Sequence, residues 1–187
     1  MYVDGECICN LWGETPSKST VVNGYDNNSI QCIFSSGKTI GAMLIAIMVD
    51  QGLLDYNEPV ATYWPEFAKN GKESILVKDV LCHDAKMPSF SQRIDLKWTL
   101  TENIKKNMMG KIIEDETPRK LPHGMTRTYH PQTRDWILNE IFRRVERQGR
   151  TMGEYFHQEI KDRYNLQINI VNSPEDNAIT QNVQLAS

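Results

Sequence analysis

The rhythm of hydrophobic and polar positions changes at Ser35. Before it, short β-like runs alternate with turn residues. Glu-Cys-Ile-Cys-Asn-Leu-Trp over 6–12 reads as a strand closed by Gly13, a Thr/Val-rich run over 19–23 ends at Asn23-Gly24, and Ile30 to Phe34 forms a third run. From Ser35 onward the period becomes helical. Ile40, Met43, Leu44, Ile47 and Met48 share one face, while Ala42, Ile45, Ala46 and Val49 fill the others. This predicts a central helix over 36–51, buried all round and stopped by Gly52. Further helices are predicted where Glu58-Pro59-Val60 opens a segment ended by Trp64-Pro65, and where Val77, Val80 and Leu81 keep helical spacing. The stretch from Asp84 to about Thr128, with Pro88, Pro118 and Pro122, reads as loop-rich. Trp136, Ile137, Ile141 and Val145 then mark an amphipathic helix ending at Gly149. Thr151-Met-Gly-Glu154 is a capping box that opens another, with Tyr155, Phe156 and Ile160 turned inward. Strands first and helices after predict an α+β fold rather than alternating βαβ units.

Composition adds bounds. A chain of 187 residues can build one domain, divided on this pattern into strands over 1–34, a helical region over 35–165 and a C-terminal extension over 166–187. With 40% hydrophobic and 24% charged residues it has an ordinary globular balance. The longest apolar run, Ile40 to Val49, is too short to cross a bilayer, so no membrane partner is expected. A net charge of −3 gives no pull toward nucleic acid. Arg143-Arg144 and Arg147-Gln-Gly-Arg150 read as a solvated helix end matched to the dipole. Cys7, Cys9, Cys32 and Cys82 fit neither a Cys-x-x-Cys pair nor a metal-ligand spacing, and His83, His123 and His157 are too scattered for a metal triad. Free thiols and no metal or cofactor are expected. Met1-Tyr-Val-Asp lacks the basic and apolar regions of a signal peptide, so the expected location is intracellular and cytoplasmic.

The chemistry concentrates at Ser35-Ser-Gly-Lys38, where a strand-like run meets the apolar helix. Ser35 and Lys38 are one helical turn apart and share a face. Unpaired N–H groups at the helix start favour the negative charge that develops when a serine attacks an acyl group. The plainer alternative makes Ser35 an N-cap and Lys38 an exposed first-turn residue. Gly37-Lys38-Thr39 also mimics the end of a phosphate-binding loop, but such a loop needs glycine at position 32, where Cys32 stands.

Several blocks resemble the β-lactamase-related family, most closely its class C-like carboxylesterases and animal lactamase-domain proteins. They are Ile33-Phe-Ser-Ser-Gly-Lys-Thr39, Asp50-Gln-Gly-Leu-Leu-Asp55, Pro59 to Phe67, Val77 to Pro88 with its helix ending in His83, Tyr129-His-Pro-Gln-Thr-Arg-Asp-Trp136, and Glu154 to Leu166. The resemblance implies a β-lactamase/transpeptidase-like α+β fold. It further implies a serine nucleophile at Ser35 with Lys38 and Tyr129 handling protons, no cofactor, and a small-molecule ester or amide substrate. His130, beside Tyr129, reads either as an orienting residue or as a surface histidine. Two departures stand out. Pro131 occupies a position that often carries Asn, which fits the esterase-like branch. No Lys-Thr-Gly or His-x-Gly strand follows Tyr129, although in the family that strand supplies an oxyanion donor beside the serine N–H. The resemblance thus implies that the C-terminal sheet strands are missing, with impaired catalysis and an exposed sheet edge prone to self-association. The alternative is a non-catalytic binding or assembly module.

Overall fold

The computed structural model describes residues 1–11 and 32–170. They fall into two units, one containing residues 1–11 and 32–34 and the other residues 35–170. In the first, β1 (Tyr2–Val3) pairs antiparallel with β2 (Glu6–Cys7), Tyr2 opposite Cys7 and Val3 opposite Glu6. Asp4 and Gly5 both adopt positive φ, 50° and 85°, as a tight two-residue hairpin turn requires. The strand expected over 6–12 is therefore short, and 8–11 are irregular. The expected strand over 19–23 lies outside the described residues. Residues 32 and 33 are irregular and Phe34 opens a 3-10 turn, so no strand runs up to the serine.

The second unit is helical: α1 (Lys38–Asp50), α2 (Val60–Tyr63), α3 (Val77–Leu81), α4 (Thr101–Lys105), α5 (Met108–Asp115), α6 (Thr133–Val145), α7 (Met152–Tyr155) and α8 (Asp162–Tyr164). A π turn over Phe156–Lys161 joins α7 to α8. Helix α1 ends at the glycine the pattern marks. Gly52 has φ 69°, its N–H reaches the Val49 carbonyl at 2.9 Å, and Leu53 N–H reaches Met48 at 2.9 Å, the paired bonds of a left-handed glycine stop. The capping box forms as written: Glu154 N–H donates to Thr151 Oγ1 at 3.3 Å, and Thr151 N–H donates to the Glu154 carboxylate at 2.8 Å.

Helices α1 and α6 form the centre of this unit. Leu44, Ile45 and Met48 of α1 meet Ile137, Leu138, Ile141 and Phe142 of α6, with Trp64, Phe67, Val77, Val80 and Phe156 closing the core. α1 is not buried all round, because Met43 is 40% exposed and Ala46 is also exposed; α6 covers only one stripe of it. Two helices, α4 and α5, occupy the stretch that reads as loop. Ile104, Met109 and Ile112 pack there with Trp98 and Trp136, so a small satellite cluster supplies the burial that such short helices lack on their own.

The arginine cluster is only in part a solvated helix end: Arg147 is exposed, but Arg143, Arg144 and Arg150 are not. The Arg143 and Arg144 side chains are 14% and 16% exposed and bind Glu140, whose side chain is 1% exposed. Arg144 also lies 3.9 Å over the Trp64 ring, and the Trp64 indole N–H donates to Glu114 at 3.0 Å. Lys72, fully buried, donates to the carbonyls of Glu114 and Glu116, and burial holds its pKa below the usual lysine value. Glu140 on the same helix and Glu114 on α5 hold the arginines, and main-chain carbonyls at the end of α5 hold Lys72, where a buried charge without a partner would be costly.

Candidate active site

The site grows from the turn before α1 and the loop before α6. Phe34 has φ 45°, an uncommon conformation for a bulky residue and the kind of local strain found beside reactive side chains. Gly37, not Ser35, occupies the N-cap of α1, and no side chain caps that end. The Ser35 hydroxyl is thus not spent on capping. It shares a 2.5 Å hydrogen bond with the Tyr129 hydroxyl, 94 residues along the chain. Lys38 Nζ lies 5.5 Å from the centre of the Tyr129 ring, donates to the Pro131 carbonyl at 2.5 Å, and is 3.4 Å from Asp135 Oδ2. The structure therefore brings Ser35, Lys38 and Tyr129 together. The hydrogen bond of Ser35 goes to Tyr129, while Lys38 is held by Pro131 and Asp135. The proline thus supplies through its carbonyl an acceptor for Lys38 at the position where the resemblance expects an Asn side chain.

Electrostatics follow from this arrangement. The hydrogen bond with Ser35, foremost, and the nearby Lys38 charge hold the Tyr129 phenol below its ordinary pKa, although half of the residue is exposed. A lowered phenol is the better proton acceptor near neutral pH. Arg134, at the start of α6, donates to the Leu81 carbonyl at 3.1 Å and to Asp135 Oδ1 at 2.6 Å, which orients the carboxylate toward Lys38. Gly41 of α1 lets that carboxylate approach; a Cβ there would sit 3.3 Å from Asp135 Oδ1.

The loop carrying Tyr129 is tied from below. His130 is fully buried, not a surface histidine. Its Nδ1 pairs with the Thr128 carbonyl at 2.6 Å, and its Nε2 accepts the Met87 N–H at 2.9 Å. Thr133 Oγ1 donates to the Met87 carbonyl at 2.6 Å, so Met87 is held on both sides. Asp135 and His83 also border the site, though the sequence pattern assigns neither a role there. An acid in the first turn of a helix reads as a dipole match, and nothing in the spacing ties it to Lys38. Among the described residues no group of three His, Cys, Asp or Glu could hold a metal ion, and Cys7, Cys9, Cys32 and Cys82 are free thiols. No described helix is long and apolar enough to cross a membrane.

The chain is a member of the β-lactamase and serine-hydrolase superfamily, and it is similar in sequence and fold to penicillin-binding-protein-like and carboxylesterase-like chains. The family model described as "Beta-lactamase" matches residues 1–179, and the chain belongs to that family. It is 27% identical over 164 residues to "Esterase/beta-lactamase LipL" of Mycobacterium tuberculosis (strain ATCC 25618 / H37Rv), covering 87% of this chain and 35% of LipL. Among solved structures it is similar to a penicillin-binding protein homologue from Caulobacter crescentus, with 31% identity, a TM-score of 0.70, and coverage of 86% of this chain and 40% of that one. EstA from Arthrobacter nitroguajacolicus Rue61a gives 27% identity and a TM-score of 0.67 over 81% of this chain and 39% of EstA. A family VIII carboxylesterase gives 28% and 0.57, over 67% and 32%. The chain spans less than half the length of each of these relatives.

Proposed function

We propose that this chain carries the nucleophile half of an acyl-serine hydrolase acting on a small-molecule ester or amide. The observation that carries the reading is the 2.5 Å hydrogen bond between Ser35 and Tyr129, with the Lys38 amine beside the phenol ring. In this mechanism Ser35 Oγ attacks the acyl carbon while its proton passes to the Tyr129 oxygen, whose phenolate the Lys38 cation favours. Tyr129 then returns the proton to the departing alcohol or amine. Water enters by the reverse route, giving a proton to Tyr129 as it attacks the acyl-serine, and Tyr129 passes that proton to Ser35 Oγ as the acid leaves, restoring the free serine. The relatives named carboxylesterase and esterase/beta-lactamase favour the ester as substrate class. Asp135 and Pro131 act by holding Lys38 in place.

A second reading, a binding module without turnover, is favoured by one observation: Tyr129 is 50% exposed, whereas efficient acyl transfer works best in a site closed to water. Hydrolysis of p-nitrophenyl esters separates the two. Turnover that is lost in Ser35→Ala and sharply reduced in Lys38→Met supports the hydrolase. Binding of an ester without turnover, unchanged in Ser35→Ala, supports the module.

A further inference from the structure

His83 ends the short helix α3 at φ 63°, a left-handed conformation that histidine adopts more readily than most residues. Its own N–H reaches back to the Val80 carbonyl at 3.3 Å. The ring faces the site. Its centroid is 4.8 Å from that of Tyr129, and its Nδ1 accepts the backbone N–H of His130 at 3.1 Å. A backbone N–H can only donate, so this contact requires a bare Nδ1 and leaves the His83 proton on Nε2. The same single residue thus grips both sides of the Tyr129 peptide: the phenol by ring contact, the following amide by hydrogen bond.

We propose that His83 is a positioning residue for Tyr129, holding its hydroxyl on Ser35 while neutral and releasing it when protonated. A proton on Nδ1 would oppose the His130 N–H directly and remove the bond that fixes the loop. The groups facing His83 are Arg134, Lys38 and His130, all of which disfavour a further positive charge, together with the Asp135 carboxylate, which favours one, and the Tyr129 ring. Burial first, then Arg134, His130 and Lys38, keep the His83 pKa below the ordinary histidine value. The grip is therefore whole at neutral pH and loosens only in acid. Its placement stands on the geometry alone; its catalytic consequence rests on the hydrolase reading above.

Two replacements suit the left-handed backbone and separate the roles. His83→Asn keeps an acceptor where Nδ1 lies but cannot be protonated, and His83→Gly removes acceptor and ring together. The 187-residue chain is prepared with 15N-histidine and with 3-fluorotyrosine at position 129. At neutral pH the expected result is a bare Nδ1 on His83. On acidification the His130 amide and the Tyr129 fluorine should shift along the His83 titration curve. In His83→Asn that acid step should vanish from the fluorine signal, and in His83→Gly the neutral-pH signal should already resemble the acid form. A proton on Nδ1 at neutral pH, or a fluorine signal unmoved through the His83 titration, overturns the proposal, whether or not Ser35 reacts. In parallel, the rate of Ser35 labelling by a fluorophosphonate should fall about ten- to a hundredfold in His83→Gly, the usual effect of misplacing a reacting group by an ångström or so. His83→Asn should keep the neutral rate and lose the acid limb. An equal labelling rate in His83→Gly would show that Tyr129 needs no such grip.

Discussion

Replacing Gly110 by alanine should destabilise the helical unit through one short contact. Gly110 lies in α5, and a Cβ built there falls 1.9 Å from Asn107 Oδ1 and 3.0 Å from Glu140 Oε2. Asn107 is short and sits at φ 62°, so it cannot swing aside without giving up its partners. Its Oδ1 accepts from Arg143 at 2.6 Å and from Arg144 at 2.7 Å, and its amide donates to Glu114 at 3.0 Å. Hydrogen bonds to charged groups contribute about 1.5–3 kcal/mol each, so losing the two arginine bonds costs about 3–6 kcal/mol. Alanine in a helix interior returns about 1 kcal/mol. The net loss of about 2–5 kcal/mol is a large share of a typical stability of about 5–15 kcal/mol. At about 2–4 °C per kcal/mol for a chain of this size, the melting midpoint should drop by roughly 10 °C. Thermal and urea unfolding measure it. The double variant Asn107→Gly/Gly110→Ala isolates the cause, since with the amide gone the added methyl should cost far less, only its 3.0 Å approach to Glu140 Oε2 remaining. An unchanged or raised midpoint in Gly110→Ala, or purely additive losses in the double variant, would refute the reasoning.

Two further outcomes are expected. Tyr129→Phe should cut the rate of Ser35 acylation by about 10²- to 10⁴-fold, the usual contribution of a positioned proton acceptor, with little change in melting midpoint because the ring is half-exposed. Glu146→Gln tests a pH dependence: burial raises the Glu146 pKa, but the Arg150 side chain and the N–H groups of Arg150 and Gln148 outweigh it and hold the carboxyl below its usual value. A depressed folded pKa stabilises above the unfolded carboxylate pKa of about 4.3 and loses that contribution as pH falls through the lower folded value. The wild type should therefore exceed Glu146→Gln by about 2 kcal/mol in urea unfolding at pH 7, with the gap closing in acid.

Much of this was legible in the sequence wherever a local rule matched the tertiary outcome. Gly52 stops α1 because the stop needs only a left-handed residue, and the Thr151–Glu154 box forms because both partners lie within one turn. The Ser35-Ser-Gly-Lys38 turn and the Tyr129 block were readable as motifs, although the contact across 94 residues that joins Ser35 to Tyr129 is a product of folding. What stayed hidden depends on distant partners. Helices α4 and α5 are held by Trp98 and Trp136 rather than by their own propensity. Arg143 and Arg144 look solvated until Glu140, Glu114 and Trp64 surround them. His83 and Asp135 are single polar residues whose bearing on the site comes only from what they face.

The central claim is that Ser35 is a nucleophile activated by Tyr129. It is tested most directly by treating the chain with a fluorophosphonate and mapping the adduct by peptide mass spectrometry. A single adduct is expected on Ser35, absent after denaturation before labelling and slowed at least a hundredfold in Tyr129→Phe. An adduct on Ser36 or another serine, or labelling of Ser35 that is indifferent to denaturation and to Tyr129→Phe, would contradict it.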